Sequence, residues 1–208
     1  MRAMADFAIA YAPLRQYEGG WSNNPADRGG ETYAGIARNF FPGWAGWPVI
    51  DRWKRSVGTG ARALNKALST VPELRKMVED WYRAEWWDRL GLSTLPQALA
   101  TEIFEQAVNL GKGGCGKQVQ IVCNAYNYAG GGRLFADLAV DGAIGPKTLN
   151  ALKAIVANKA DVPSLVHALN CMQGSHYLEL AARKPSQRQF TVGWMSRTHC
   201  EQGGHGNA

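Results

Sequence analysis

The chain has 208 residues, which is enough for one large domain or two small ones with a hydrophobic core. Hydrophobic residues make up 46% and charged residues 19% of the composition, as in an ordinary soluble protein, and no apolar window of about 18 residues predicts a stable membrane insertion. The formal net charge of +6 favours an anionic partner, but the basic residues form no run of five, which argues against nucleic acid. An acidic cell envelope as partner, or a soluble protein that is merely basic, stays open.

The first predicted helix ends at a carboxylic acid. Phe7, Tyr11, Leu14 and Glu18 are spaced i, i+4, i+7 and i+11, so all four fall on one helical face, and Gly19–Gly20 provides a stop signal. A carboxyl group that continues an apolar stripe is desolvated, which favours the protonated form that a general acid needs. A surface glutamate before a glycine cap is the alternative.

Turn-forming residues dominate the next segment, 23–35, and predict a small β-hairpin. Asp27 is expected on an exposed turn, and Thr32 on a strand. An acid in an apolar setting, a second carboxylate in a polar one and a hydroxyl that places a water match the needs of glycoside hydrolysis. Taken singly, Asp27 as a turn residue and Thr32 as a strand residue have simpler explanations.

Residues 38–58 combine five aromatic side chains with proline and glycine, which predicts an irregular aromatic loop rather than a long helix. Such a loop either lines a sugar cleft or packs as a local hydrophobic cluster. Because exposed tryptophan rings stack on the flat apolar faces of sugars, Trp21, Trp44 and Trp47 are candidate substrate-binding residues.

Residues 72–90 predict a strong helix, with proline in its first turn and Gly91 after its end. Glu85 is a second acid on the apolar face of this helix. Arg89 lies four residues further on, and pairing with it would make Glu85 structural rather than catalytic.

Further helices are predicted over 96–110 and 117–128, separated by a glycine-rich loop at 111–116 that lacks the residue order of a phosphate-binding loop. The three glycines at 130–132 are the best candidate linker. We therefore predict a mainly α protein with a small β-hairpin. Its expected parts are a catalytic lobe at 1–111, a helical lobe at 112–200 and a flexible tail at 201–208.

Helices are also predicted from Pro146 to about 157 and from 161 to about 183, followed by a short one that holds Phe190 and Trp194. His176 falls on the apolar face of the second of these and is interpreted as a core histidine.

The four cysteines contain no CxxC pair, and their spacing to the histidines fits no zinc pattern. We expect free buried thiols, although a disulfide formed after export stays open. Neither a metal nor an organic cofactor is expected.

Two strings near the N-terminus, EGGW at 18–21 and NNPADRGGETYAGIA at 23–37, resemble glycoside hydrolase family 108, the N-acetylmuramidase family. Glu18, Asp27 and Thr32 also stand in the order of the Glu–Asp–Thr constellation of phage-type lysozymes, with the second spacing one residue shorter. The resemblance extends to AVNLG at 107–111, to a peptidoglycan-binding-like VDGAIGPKTL at 140–149 and to F-x3-W-x2-R at 190–197.

The resemblance implies a lysozyme-like fold and peptidoglycan as the partner. It implies that Glu18 protonates the leaving oxygen of the bond between N-acetylmuramic acid and N-acetylglucosamine. Asp27 would orient a water or stabilise positive charge on the sugar, Thr32 would hold that water, and Asn109 becomes a candidate substrate-binding residue.

Two other functions stay open. A lytic transglycosylase uses one acid and no water, so Asp27 and Thr32 speak mildly against it. A peptidoglycan-binding or secretion-activating protein with little catalysis is compatible with 140–149. No signal peptide is recognisable, so we expect a monomer made in the cytoplasm that reaches the wall through a holin or other export, as the resemblance to phage or prophage endolysins implies.

Overall fold

The computed structural model describes residues 4–15, 19–24, 29–128, 132–158 and 161–198. It divides into two compact units. The first, which we call the sheet unit, comprises Tyr11–Glu85, and the second, the helical unit, comprises Met1–Ala10 with Trp86–Ala208. The domain division expected at residue 111 stays a prediction, and the linker and tail expected at 130–132 and 201–208 lie almost wholly outside the described residues.

The sheet unit contains a three-stranded antiparallel sheet in the order β1-β2-β3. Its strands are β1 (Ser22–Asn23), β2 (Glu31–Tyr33) and β3 (Ile36–Ala37). The predicted hairpin is present as the β1–β2 pair, and β3 extends it. Between β2 and β3 lie only Ala34 and Gly35, with φ of 47° and 77°. Positive φ at both central residues is the geometry of the tight turns whose twist matches that of the flanking strands.

Four helices are assigned in or at the edge of this unit: α1 (Phe7–Arg15), α2 (Gly46–Val57), α3 (Ala61–Leu68) and α4 (Pro72–Tyr82). Of the apolar face predicted for α1, Phe7 and Tyr11 are buried and Leu14 is half-buried, whereas Glu18 lies outside the described residues. Helix α4 continues as a π-helical segment, Arg83–Asp88, which contains Glu85.

The irregular loop predicted over 38–58 is wrong for its second half, which forms α2. Pro48 is compatible with this helix because it is the third residue, where a backbone N–H has no partner within the helix. Beyond it, Val49 and Ile50 are buried. Helix α3 was not expected from the sequence.

The helical unit is built on the long helix α5 (Gln97–Ala125), which packs on α7 (Val162–Arg183). Helices α6 (Pro146–Ala157) and α8 (Thr191–Met195) complete it, with short 3-10 turns at Leu92–Thr94 and Pro185–Phe190. Its core includes a mutual edge-to-face cluster of Phe7, Trp87 and Phe104, with ring centroids 5.7 to 5.8 Å apart. No helix within the described ranges is long and apolar enough to cross a membrane.

The loop predicted at 111–116 is also wrong, because only Gly111 leaves the helical conformation, with φ 76° and ψ 154°. The glycine at 116 is explained by a close backbone contact. A Cβ on Gly116 would lie 1.9 Å from the carbonyl oxygen of Gly142, so α5 can approach the 141–142 turn only without a side chain there.

His176 is exposed, so its interpretation as a core histidine is wrong. The buried stripe of α7 runs instead through Leu169, Gln173, Tyr177 and Ala181. Gln173 and Tyr177 turn inward because their polar ends bond each other, with the amide nitrogen of Gln173 3.0 Å from the Tyr177 hydroxyl.

The predicted free buried thiols are confirmed for Cys115 and Cys123, whereas Cys171 is free but exposed. Burial raises the pKa of each buried thiol to about 12, so neither forms a reactive thiolate near neutral pH. Cys200 lies outside the described residues.

Candidate active site

Of the three predicted catalytic residues, the structure describes one. Glu18 and Asp27 lie outside the described residues. Thr32 is the middle residue of β2, paired with Ser22 of β1 and Ala37 of β3. Its hydroxyl donates to the carbonyl oxygen of Gly30 at 3.2 Å.

The chain that leaves Glu18 is held first at Gly19. The carbonyl oxygen of Gly19 accepts a hydrogen bond from the backbone N–H of Ala34 at 2.9 Å. The Ala34 carbonyl in turn accepts from the buried hydroxyl of Tyr82 at 3.0 Å. A Cβ on Gly35 would lie 2.5 Å from that hydroxyl, so this turn needs glycine both for its positive φ and for room.

Asn65 of α3 holds the same stretch two residues later. Its Oδ1 accepts from the backbone N–H of Trp21 at 2.5 Å, and its Nδ2 donates to the Trp21 carbonyl oxygen at 3.0 Å. The side-chain amide thus pairs with one residue as a neighbouring strand would. A Cβ on Gly20 would lie 2.4 Å from the Asn65 Oδ1, so the stop signal read from the sequence also makes room for this clamp.

The indole of Trp21 is held by a charged network. Its Nε1 donates to Glu31 at 2.5 Å, and Glu31 also pairs with Arg38 at 2.9 Å and Lys54 at 2.7 Å. Both cations pair as well with Asp51 of α2, at 2.8 and 3.0 Å. Two carboxylates and two cations therefore join the sheet to α2.

The pKa directions in this network agree with its geometry. The hydrogen bond from Arg38 is the main reason that the pKa of Asp51 is lowered. Burial alone would lower the pKa of Lys54, but its hydrogen bonds to Glu31 and Asp51 outweigh burial and raise it. Asp51 and Lys54 therefore both stay charged around neutral pH.

The three tryptophans proposed to bind substrate lie in the interior of the sheet unit. Trp21, Trp44 and Trp47 are 6%, 8% and 2% exposed. Trp44 and Trp47 meet edge to face at 5.1 Å, and the Trp47 ring nitrogen donates to the Phe41 carbonyl oxygen at 2.8 Å. In this conformation each ring has a packing role, and contact with sugar stays a prediction for all three.

A cavity of about 530 Å³ opens beside the clamped stretch. This is within the range of roughly 300–1,000 Å³ that is typical of ligand pockets. Its walls come from the stretch itself, the β2–β3 turn, and helices α3 and α4: Gly19, Gly20, Tyr33, Ala34, Asn65, Leu68, Ser69, Val71, Arg75 and Val78. The residue that follows Glu18 is thus part of a cavity wall.

Asn109 lies in the helical unit, in a polar layer between α5 and α7. Its Nδ2 donates to the Glu105 carboxylate at 2.6 Å, and its Oδ1 accepts from Arg197. Gln173 reaches the same carboxylate from α7 at 3.2 Å. Both polar atoms of Asn109 are therefore used within the protein, and substrate binding by Asn109 stays a prediction.

Glu102 of α5 is an acid of this layer with a perturbed pKa. Burial raises the pKa of its carboxyl group from 4.5 to about 7, and the negative charge of Glu105 acts in the same direction. The Nε2 of the fully buried Gln106 donates to it at 2.9 Å, which partly opposes the shift.

Glu102 should therefore make stability depend on pH. Between its ordinary pKa of 4.5 and about 7 the folded protein keeps a proton that the unfolded chain has released, so stability falls as pH rises through this range. A difference of one pKa unit between the folded and unfolded states corresponds to about 1.4 kcal/mol of unfolding free energy. Because Glu102 is partly exposed, solvent screening reduces the total effect on stability to roughly 2 kcal/mol. Denaturant unfolding of Glu102→Gln from pH 4.5 to 8 should show a flatter profile than wild type. The exposed Glu179→Gln is the control, and an unchanged slope in Glu102→Gln would contradict the assignment.

A second, larger cavity lies in the helical unit beside α6, with a volume of about 990 Å³. One wall is the irregular segment 134–139, which is shaped by the buried Asn127. The Oδ1 of Asn127 accepts from the N–H groups of Leu134 and Phe135 at 3.0 and 3.1 Å. The other wall includes Lys147 of α6.

No cluster of three histidine, cysteine or acidic side chains in the described ranges has the arrangement of a metal site.

Comparison with protein families matches residues 11–111 to the model "Glycosyl hydrolase 108" and residues 118–199 to the "Predicted Peptidoglycan domain". Residues 11–111 belong to the glycosyl hydrolase 108 family. The chain is therefore a glycoside hydrolase with peptidoglycan as its partner, and the cavity beside Gly19 lies within its glycosyl hydrolase 108 domain.

Among solved structures, the chain is similar to SagA from Brucella abortus, with 23% identity and a TM-score of 0.56 over 92% of this chain and 88% of that one. This likeness concerns the fold, and it confirms the predicted lysozyme-like class, mainly helical with a small β-sheet. Comparison with curated proteins gave no match.

Several residues of the glycosyl hydrolase 108 domain escaped the sequence analysis. Asn65 and Glu31 were not singled out, because each acts through contacts with residues elsewhere in the chain. Arg75 was not singled out, because the cavity that it lines is formed only by the fold. The i, i+3 spacing of Glu102 and Glu105 beside buried Ile103 and Phe104 was a readable signal of a partly buried acid pair.

Proposed function

We propose that this glycoside hydrolase cleaves the bond between N-acetylmuramic acid and N-acetylglucosamine in peptidoglycan by general acid–base hydrolysis. The observation that carries the proposal is the anchoring of the chain directly after Glu18. Gly19 and Trp21 are both fixed by hydrogen bonds, and the cavity beside them is large enough to hold part of a glycan strand. A catalytic acid needs such a fixed backbone, because misplacement by about 1 Å is costly.

In the proposed reaction Glu18 donates its proton to the leaving glycosidic oxygen. Asp27 orients the attacking water or stabilises the oxocarbenium-like charge that develops on the sugar. Thr32 holds that water. Because the Thr32 hydroxyl donates its hydrogen bond to the Gly30 carbonyl oxygen, the lone pairs of the Thr32 oxygen can accept a hydrogen bond from the water. The rigid pairing of β2 on both sides supports a fixed position for this hydroxyl.

The peptidoglycan domain supplies retention on the wall. The cavity beside α6 has the size and mixed lining of a binding site for a wall component, with apolar side chains, Asp137 and Lys147. We further propose the role of a phage or prophage endolysin that acts as a monomer, is made in the cytoplasm and reaches the wall through a holin or another export route.

The test is mass spectrometry of the soluble fragments released from purified peptidoglycan. Reducing N-acetylmuramic acid ends would support hydrolysis at the proposed bond. Anhydro-muramic ends would identify a lytic transglycosylase instead. Protein that pellets with the wall but releases no sugar would favour a binding or secretion-activating role.

A further inference from the structure

We propose that Arg75 recognises a carboxylate of the substrate, so that the cavity beside Gly19 selects acidic glycan strands over neutral ones. This inference rests on the proposed function. Arg75 lies on α4, is exposed, and forms part of the cavity wall. Among the described residues that line this cavity, it is the only one with a charged side chain.

Two other polar side chains of the wall, Asn65 and Ser69, are already engaged within the protein. Both ends of the Asn65 amide bond the Trp21 backbone, and the Ser69 hydroxyl donates to the Lys66 carbonyl oxygen at 2.9 Å. Tyr33 stacks on Trp44, with ring centroids 6.3 Å apart. Within the described part of the chain no carboxylate pairs with the Arg75 guanidinium, which leaves its donors for a ligand.

Arg38 and Lys54, two cations close to the sheet, differ from Arg75 in having carboxylate partners. Arg38 and Lys54 are each paired with both Glu31 and Asp51, so their charges are neutralised locally. Arg75 has no such neutralisation among the described residues.

The substrate offers carboxylates from two sources. Muramic acid carries a lactyl group whose carboxylate is free when the peptide stem is absent, and the stem has carboxylates of its own when it is present. A planar guanidinium binds either in the same two-point geometry. Neutral polymers of N-acetylglucosamine have no carboxylates, so Arg75 would make the enzyme prefer peptidoglycan over these polymers.

The experiment compares kcat/KM on three strands: intact peptidoglycan, strands stripped of peptide by an amidase, and stripped strands whose lactyl carboxylates are converted to methylamides. Wild type should prefer an acidic strand over the amidated one by about 10- to 100-fold, as for a hydrogen bond to a charged group. For Arg75→Gln, kcat/KM on the acidic strand should fall to the value that wild type has on the amidated strand. The preference of Arg75→Lys should lie between those of wild type and Arg75→Gln, because lysine keeps the positive charge but cannot form the two parallel hydrogen bonds of a guanidinium.

The matched control is Arg62→Gln, since Arg62 is an exposed arginine on α3 that does not line the cavity and its loss changes the net charge equally. If Arg75→Gln loses the preference only on stripped strands, the lactyl carboxylate is the group that Arg75 binds. If the variant loses it only on intact peptidoglycan, Arg75 binds a carboxylate of the peptide stem. A preference that survives in Arg75→Gln, or that falls equally in Arg62→Gln, would overturn the proposal.

If wild type cleaves none of the three strands, the proposed function fails and binding decides the role of Arg75. Titration of tryptophan fluorescence with stripped and amidated strands then measures affinity directly. Weaker binding of Arg75→Gln by about tenfold or more, confined to the acidic strand, supports carboxylate recognition. Equal affinity of the variant and wild type overturns it.

Discussion

Glu18→Gln is expected to lower the release of sugar ends from peptidoglycan by about 100- to 10,000-fold, which is the contribution typical of a positioned general acid. The amide has nearly the same volume as the carboxyl group but cannot donate its proton to the leaving oxygen. Retention on the wall should be unchanged, because the peptidoglycan domain at 118–199 does not include Glu18. Rates of end release and pelleting with purified wall measure the two effects separately.

Glu85→Gln is the matched control for this variant, since Glu85 is the other acid that the sequence places on an apolar helical face. It lies in the π-helical segment Arg83–Asp88 and should keep near wild-type activity. Wild-type rates in Glu18→Gln would remove Glu18 from the mechanism. Loss confined to Glu85→Gln would assign the proton donor to the π-helical segment.

Asn65→Ala should lower kcat by about 100-fold with a much smaller effect on KM, because the clamp holds the backbone three residues after Glu18 rather than the substrate. The variant loses two hydrogen bonds of about 1 kcal/mol each, so a modest fall in unfolding free energy should accompany the effect. Steady-state kinetics and denaturant unfolding separate the two consequences. The pH profile of kcat should also shift, since displacement of Glu18 changes the surroundings of its carboxyl group.

Asn158→Ala provides the control, because Asn158 is an exposed asparagine at the end of α6 whose amide donates only to its own helix, to the Ala154 carbonyl oxygen at 2.8 Å. Asn158→Ala should keep the wild-type kcat, and its unfolding free energy should fall by no more than a few tenths of a kcal/mol. A fall in stability of Asn65→Ala without a change in kcat or its pH profile would make the clamp purely structural.

Hydrophobic periodicity and stop signals predicted most of the helices. Helices α4, α6 and α7 follow from proline in the first turn and apolar residues at helical spacing, and the turn residues at 23–35 predicted the β1–β2 pair. Local rules failed where a residue type has two uses. Pro48 breaks a helix interior but not a first turn, and Gly116 reads as loop although it serves a close backbone contact.

For the candidate site, the sequence by itself determined the order Glu18, Asp27, Thr32 and the glycines that follow the acid, because these depend on local spacing and backbone freedom. Only the tertiary structure decided that Asn65 clamps Trp21, that Glu31 carries two cations, and that Arg75 faces a cavity. These contacts join residues 7 to 44 positions apart in the chain, from Glu31–Arg38 to Trp21–Asn65, and the cavity is lined by residues as far apart as Gly19 and Arg75. The burial of Trp21, Trp44 and Trp47 was decided at the same level, since a tryptophan that stacks on sugar and one that fills a core have the same local pattern.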